Sequence, residues 1–209
     1  MTITLHDYSL SGSCYKVRLM LGFLGLEYQR RQVDFYPGRQ HKTPEFLAIN
    51  PLGQLPVLED DGLVLRDAQA ILCHLANKYD KDGTWLPRDP ASFGPVMMWL
   101  MFAGGELMAA SSARLHDVMS YDLDIDAARR SARAAFRVLD DHLTHREIDG
   151  GTWIVGDHPT IADLACFPYV ALSGDGGIGH EEYPAIRNWL REFRKLPGFH
   201  AMSGISEYV

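Results

Sequence analysis

The sequence predicts an α/β plus all-α protein: a small α/β sandwich over residues 1–79, a linker over 80–90 and an all-helical bundle over 91–209. Three observations carry this. The first third alternates strand-type and helix-type apolar patterns and closes on a hairpin signal. The pattern then stops in DKDGTWLPRDP, a run of charges, Gly and Pro. Every periodic segment beyond it has helical spacing.

Taken in order, Ile3 to Tyr8 reads as a strand with Ile3 and Leu5 on one face. Ser11 to Ser13 supply helix-capping residues, and Val17, Met20, Leu21 and Leu24 form the apolar stripe of a first helix that Gly25 is suited to end. Tyr28 to Val33 reads as a short strand, followed by a loop. Leu55 to Leu58 and Leu63 to Leu65 flank Asp61-Gly62, a pair that tolerates the positive φ angles of a tight hairpin turn. Asp67 starts a helix with Ile71, Leu72, Leu75 and Tyr79 on its buried face. Past the linker, Ser92 to Leu115 reads as one helix that is apolar around nearly its whole circumference. Asp126 to Arg146 has a stripe of Ala128, Ala132, Ala135, Phe136, Leu139 and Leu143 with arginines opposite. Ile161 to Leu172 and Ala185 to Leu196 complete the bundle.

The bulk numbers exclude several classes. The 209 residues are 46% hydrophobic and 22% charged, the balance of a soluble globular chain. A net charge of −7 argues against a nucleic-acid surface, which wants a basic face. The amino-terminal MTITLHDYS lacks a secretory pattern, and the longest apolar run, Val96 to Ala103, is short for a bilayer. Cys14, Cys73 and Cys166 are widely spaced without a metal-type pattern, so free thiols in a reducing cytoplasm are expected, with no metal and no membrane partner.

Four features carry chemistry. Ser11-Gly12-Ser13-Cys14 stands where the first strand hands over to the first helix. A helix amino terminus has unsatisfied N–H groups and a partial positive charge, so a hydroxyl there suits a thiolate, while the same serines serve equally as plain caps. Gly53-Gln54-Leu55-Pro56-Val57 precedes the hairpin; a cis proline there would turn the Leu55 backbone outward as an edge for an extended peptide. Arg39, His41 and Lys42 form a basic cluster suited to a carboxylate or simply to solvent. Asp67 can accept from an ammonium group or act only as a helix cap. Outside these, Met97, Met98, Trp99, Met101, Phe102 and Met108 make a soft apolar surface open to core, interface or substrate roles. The Gly-rich SGDGGIG at 173–179 lacks a preceding strand and a phosphate-loop lysine and reads as a connector.

Together and in this order, these segments resemble the cytosolic glutathione transferases. SGSCYKVRLML is similar to the serine-type active-site loop of the phi, theta, zeta and related bacterial members, and HKTPEFLAINPLGQLPVLEDDGLVLRDAQAIL to their glutathione-site pattern. Thr160-Ile161-Ala162-Asp163 matches the family's capping box, and YPAIRNWLREFRKLPGF its last helix. The resemblance implies a thioredoxin-like amino-terminal domain, a helical carboxy-terminal domain and a cytoplasmic homodimer with a role in detoxification. Its cosubstrate would be glutathione and its second substrate a small hydrophobic electrophile. Residue by residue, it implies that Ser11 is the catalytic hydroxyl and that His41 and Lys42 contact the glycine carboxylate. Gln54 would make a glycyl-side or a backbone contact, the Leu55 backbone would pair with the cysteinyl unit, and Asp67 would hold the γ-glutamyl ammonium. The family usually has Ser where this chain has Ala68, so only the Ala68 N–H is left for the γ-glutamyl carboxylate. Tyr8, which lies one position off the aligned tyrosine site, is expected to point to the wrong face. Cys14, three residues beyond the position of the cysteine-type thiol, is the basis for a rival thiol-disulfide oxidoreductase reading. A glutathione-fold binding protein with little turnover is the other alternative.

Overall fold

The computed structural model describes residues 2–205. A strand β1 (Ile3–Asp7), helix α1 (Gly12–Phe23) and strand β2 (Gln29–Gln32) open the chain. Helix α2 (Pro44–Ile49), the hairpin β3 (Val57–Asp60) and β4 (Leu63–Arg66), and helix α3 (Ala68–Tyr79) follow. The sheet order is β2-β1-β3-β4, with β1 parallel to β2 and the other pairs antiparallel. The β1–β3 register sets Leu5 opposite Leu58, both wholly buried, which fixes the core face of the sheet. Asp61 and Gly62 both take positive φ at the hairpin tip, as that dipeptide predicts. The thioredoxin-like half is thus as expected, with one addition. The expected loop between β2 and β3 contains α2, started by the Thr43 side chain accepting from the Phe46 N–H and by Pro44 in the first turn.

The remaining helices are α4 (Pro90–Gly104), α5 (Met108–Met119), α6 (Ile125–Ile148), α7 (Ile161–Ala171) and α8 (Pro184–Arg194). Residues 92–115 are therefore two helices and not the single one expected. The break falls at Gly104-Gly105, where the low helix propensity of paired glycines lets the backbone turn at φ −107°, ψ −92°. Pro90–Met119 as a whole has the length and composition of a membrane span, a longer apolar stretch than Val96 to Ala103 alone. Here it is broken at that turn, with Val96, Trp99, Leu100 and Ala103 in the core and Met98 and Met101 exposed. On α6 the predicted stripe is buried at Ala132, Ala135, Phe136, Leu139 and Leu143 and half-buried at Ala128.

Helix α7 joins the two halves. It is buried along nearly its whole length and packs on α1, α3 and α4. Its amino terminus has the expected capping box. Asp163 Oδ2 accepts from the Thr160 N–H at 2.9 Å, and Oδ1 accepts from the Ile154 N–H and the Trp189 indole, both at 2.9 Å. The segment 173–179 is a connector as read: a short 3-10 turn, Ser173–Gly176, seated against α5.

Candidate functional site

A cavity of about 960 Å³ lies between the two halves, and Ser11, His41, Lys42, Gln54, Leu55, Asp67 and Ala68 all line it. The loop after β1, the segment around α2, the turn before β3 and the start of α3 bring them together from four stretches of sequence.

Ser11 is the amino-terminal cap of α1, and its Oγ accepts from the Cys14 N–H at 3.1 Å. The cap bond uses a lone pair and leaves the hydroxyl proton free to be donated, so capping and thiolate binding are compatible. Ser13, read as a cap, instead bonds the Tyr169 hydroxyl at 2.6 Å, and both line the cavity. Tyr8 also lines the cavity, its ring 5.4 Å from that of Phe35; the expected wrong-facing orientation does not hold. Burial, then the Asp34 carboxylate, raises the Tyr8 phenol above its ordinary range and keeps it protonated. Cys14 is wholly buried. Burial and the nearby Asp7 carboxylate push its thiol up to about 12, so it has neither the access nor the ionisation of a nucleophile.

At one end of the cavity stands the basic cluster. His41 is buried, stacked 4.0 Å from the Phe35 ring, and its Nδ1 has no partner among the described residues. Burial, then Lys42 and Arg39, lower its pKa, so it enters the site as a neutral imidazole. Lys42 Nζ donates to the Leu52 and Gly53 carbonyls at 3.2 and 2.9 Å, and so also braces the loop it faces. Gly53 is required there: a Cβ would lie 2.6 Å from the His41 carbonyl, and its φ is +55°. Buried Asn50 donates to the Gln54 carbonyl at 2.8 Å and accepts from the Leu52 N–H at 3.1 Å. Leu55–Pro56 is cis, and no bond among the described residues engages the Leu55 N–H or carbonyl.

Across from this loop, Asp67 takes φ +78° and caps α3, its Oδ1 accepting from Gln69 and Ala70 at 2.9 and 3.0 Å. Its Oδ2 makes no bond among the described residues, and neither does the Ala68 N–H. That end of the cavity therefore presents a carboxylate oxygen beside a free backbone donor.

Sequence reasoning missed Gln69, Ser111, Arg114, Tyr169 and the turn at Ser120–Asp122, all of which line the cavity. Of the six apolar residues considered for a second substrate, only Met108 lines it; Trp99 is buried in the core, and Met98 and Met101 face outward. The helical wall is thus more polar than the sequence suggested. The break at Gly104-Gly105 brings α5 up to the cavity, which α4 reaches only through Gly104. Among the described residues no group of three or more His, Cys, Asp or Glu is arranged to hold a metal ion.

A thioredoxin-like domain with a carboxylate-and-backbone site, roofed by a helical domain, defines the glutathione-transferase class. Profiles of the glutathione S-transferase amino-terminal and carboxy-terminal domains match residues 10–78 and 122–192, and the chain belongs to that family. It is 28% identical to glutathione S-transferase 1 of Dianthus caryophyllus, over 93% of this chain and 88% of that one. It is 29% identical to the disulfide-bond oxidoreductase YfcG of Escherichia coli K12, over 88% and 86%. The crystal structure of a glutathione transferase homologue from Lodderomyces elongisporus, with two glutathione molecules per subunit, superposes with a TM-score of 0.85 at 25% identity, covering 95% of each chain.

Proposed function

We propose that the protein is a glutathione transferase of the serine type, joining the thiolate of glutathione to small hydrophobic electrophiles in the cytoplasm. The observation that carries this reading is the convergence of Ser11, His41, Lys42, Gln54, Leu55, Asp67 and Ala68 on one cavity. In this reading residues 1–79 bind glutathione, 80–90 link, and 91–209 shape the electrophile site. Glutathione lies extended, its glycine carboxylate at His41, Lys42 and Gln54 and its cysteinyl backbone paired with Leu55. Asp67 takes the γ-glutamyl ammonium, and the Ala68 N–H takes the carboxylate.

A free thiol has a pKa near ~8.5, so only a few per cent is ionised at neutral pH. Lowering it by about two units takes roughly 2.7 kcal/mol of preference for the thiolate. A hydrogen bond from the Ser11 hydroxyl to the charged sulfur supplies about 1.5–3 kcal/mol, and the α1 amino terminus about 0.3–1 more. The thiolate then attacks an electrophilic carbon. An S–C bond forms, and either a leaving group departs with its electron pair or, in an addition, the adjacent atom takes up a proton.

The exposed Phe93, Met98 and Met101 of α4 and Leu63 and Val64 of β4 support a twofold homodimer, which sedimentation equilibrium at micromolar concentrations tests. A second reading, a thiol-disulfide oxidoreductase, is favoured by the relation to YfcG. Burial of Cys14 means that such an activity would use the thiol of glutathione itself. Calorimetric titration with glutathione, followed by conjugation assays on the same preparation, separates the readings. Binding with turnover of chloronitroaromatic electrophiles is expected. Binding with disulfide reduction alone supports the second reading, and binding without any turnover a binding protein.

A further inference from the structure

We infer that Arg114, on α5, is a positioning residue for the Ser11 hydroxyl, through which the helical half sets the geometry of the thiolate site. Arg114 is 7% exposed and lines the cavity. Its Nη1 donates to the Leu10 carbonyl at 2.6 Å, across 104 residues of sequence and one residue before Ser11. Its Nε donates to Asp175 Oδ2 at 2.9 Å, in the 3-10 turn after α7. That turn is itself seated tightly: a Cβ on Gly176 would lie 2.8 Å from the Arg114 backbone nitrogen. The guanidinium thus spans from the Asp175 carboxylate to the backbone of the catalytic loop, a two-ended contact that its planar fork suits and a lysine cannot reproduce.

The rest of that loop is held from the other side. Arg18 of α1, paired with the wholly buried Asp7, donates to the Tyr8 and Ser9 carbonyls at 3.4 and 3.1 Å. The Ser11 N–H closes on the Tyr8 carbonyl at 3.0 Å. The Leu10 carbonyl is the last one before the cap, and among the described residues its side-chain donor comes from the helical half alone. A loop with three carbonyls fixed by two arginines from opposite halves keeps the Ser11 hydroxyl in register with a sulfur held by Leu55. Loss of that register is costly, because a misplacement of about 1 Å can cost on the order of a hundredfold in rate.

The inference rests on Ser11 being the thiolate donor, and its test keeps the two claims apart. The thiol pKa of bound glutathione is followed by thiolate absorbance against pH, with kcat, KM and the glutathione Kd measured alongside, in the wild type, Arg114→Met and Asp175→Asn. In Arg114→Met the bound thiol pKa is expected to rise by about half a unit or more, and kcat to fall about tenfold. The glutathione Kd is expected to stay within about twofold, because the Leu55 and Asp67 contacts are untouched. Asp175→Asn keeps the guanidinium and loosens its far end, so a smaller shift in the same direction is expected; it carries the test if Arg114→Met does not fold. An unchanged thiol pKa in both variants, or a Kd that weakens in step with kcat, overturns the positioning role. Absence of any bound thiolate in the wild type overturns the proposed function instead.

Discussion

Two helix amino termini in this chain use the same chemistry for opposite ends. At the start of α7, Thr160 and Asp163 are buried and their bonding capacity is spent inside the protein: the carboxylate accepts from Ile154, Trp189 and both the N–H and hydroxyl of Thr160. At the start of α1, Ser11 accepts one bond from Cys14 and keeps its proton. The start of α3 resembles the second case, with Asp67 bonding through one oxygen only. The lesson is that a cap becomes a binding group when its remaining capacity opens on a cavity. Identical capping letters in sequence do not reveal which case applies.

The comparison is tested most severely at Asp163. Asp163→Ala leaves the Ile154 and Trp189 donors and the Thr160 N–H buried without an acceptor. Each such group costs about 1–3 kcal/mol, so a loss of at least about 3 kcal/mol or failure to fold is expected in urea unfolding. A loss below about 1 kcal/mol would mean that water replaces the carboxylate and that this cap is not closed.

At Ser11 the expected effect moves from stability to chemistry. Ser11→Ala should cost only about 1 kcal/mol as a lost cap. The thiol pKa of bound glutathione should rise by about one unit or more, moving the rising limb of the rate profile to higher pH and cutting neutral-pH kcat/KM about tenfold or more. Glutathione Kd should change little. An unmoved thiol pKa would transfer the role to Tyr8 or to the backbone.

The difference between these regions also marks what was legible in the sequence. The strands, most of the helices, the hairpin at Asp61-Gly62 and most of the buried stripe of α6 are local patterns and could be read directly, whereas α2 and the separation of α4 from α5 could not. The seven residues that the family resemblance points to sit on short motifs, and they all line one cavity. The helical wall was not legible, for Arg114, Ser111 and Tyr169 reach the cavity only because the chain turns at Gly104-Gly105 and α7 crosses beneath. The turn was hidden by the continuous apolar pattern on both sides of it. Tyr8 was misjudged because strand alternation was extended past Asp7, where β1 ends.

Lys16 gives a third case: capacity unspent, with no opening on the cavity. It is wholly buried on α1, its Nζ has no hydrogen-bond partner among the described residues, and it lies 3.5 Å above the Tyr169 ring. Burial pulls its pKa down to about 7. Between that value and the ordinary lysine value the unfolded chain holds a proton the folded chain lacks, so stability rises with pH across the window; below it the penalty is fully present. An ion-burial cost of several kcal/mol, offset by up to ~2 kcal/mol from the ring, leaves a net cost. Lys16→Met should therefore raise stability by about 1–2 kcal/mol below pH 7, with the gain shrinking as the pH approaches that of free lysine. Thermal melts at a series of pH values read it, and a variant less stable than the wild type at acidic pH would show that the ring contact outweighs burial.

The smallest effect probes the start of α3, where a cap opens on the cavity but one hydroxyl is missing. Asp67 occupies the Gln69 and Ala70 N–H groups and leaves the Ala68 N–H facing the site. Ala68 is 4% exposed, so a hydroxyl on its Cβ would be largely shielded from water, where a hydrogen bond to a carboxylate is strongest. Ala68→Ser should tighten glutathione binding at least several-fold, corresponding to the roughly 1 kcal/mol net worth of an ordinary neutral hydrogen bond. Calorimetric titration of both proteins measures it, and the gain should fall on Kd with kcat nearly unchanged, because the γ-glutamyl end is remote from the sulfur. Binding that is unchanged or weaker would mean that the γ-glutamyl carboxylate lies elsewhere, and that the start of α3 is a closed cap like that of α7.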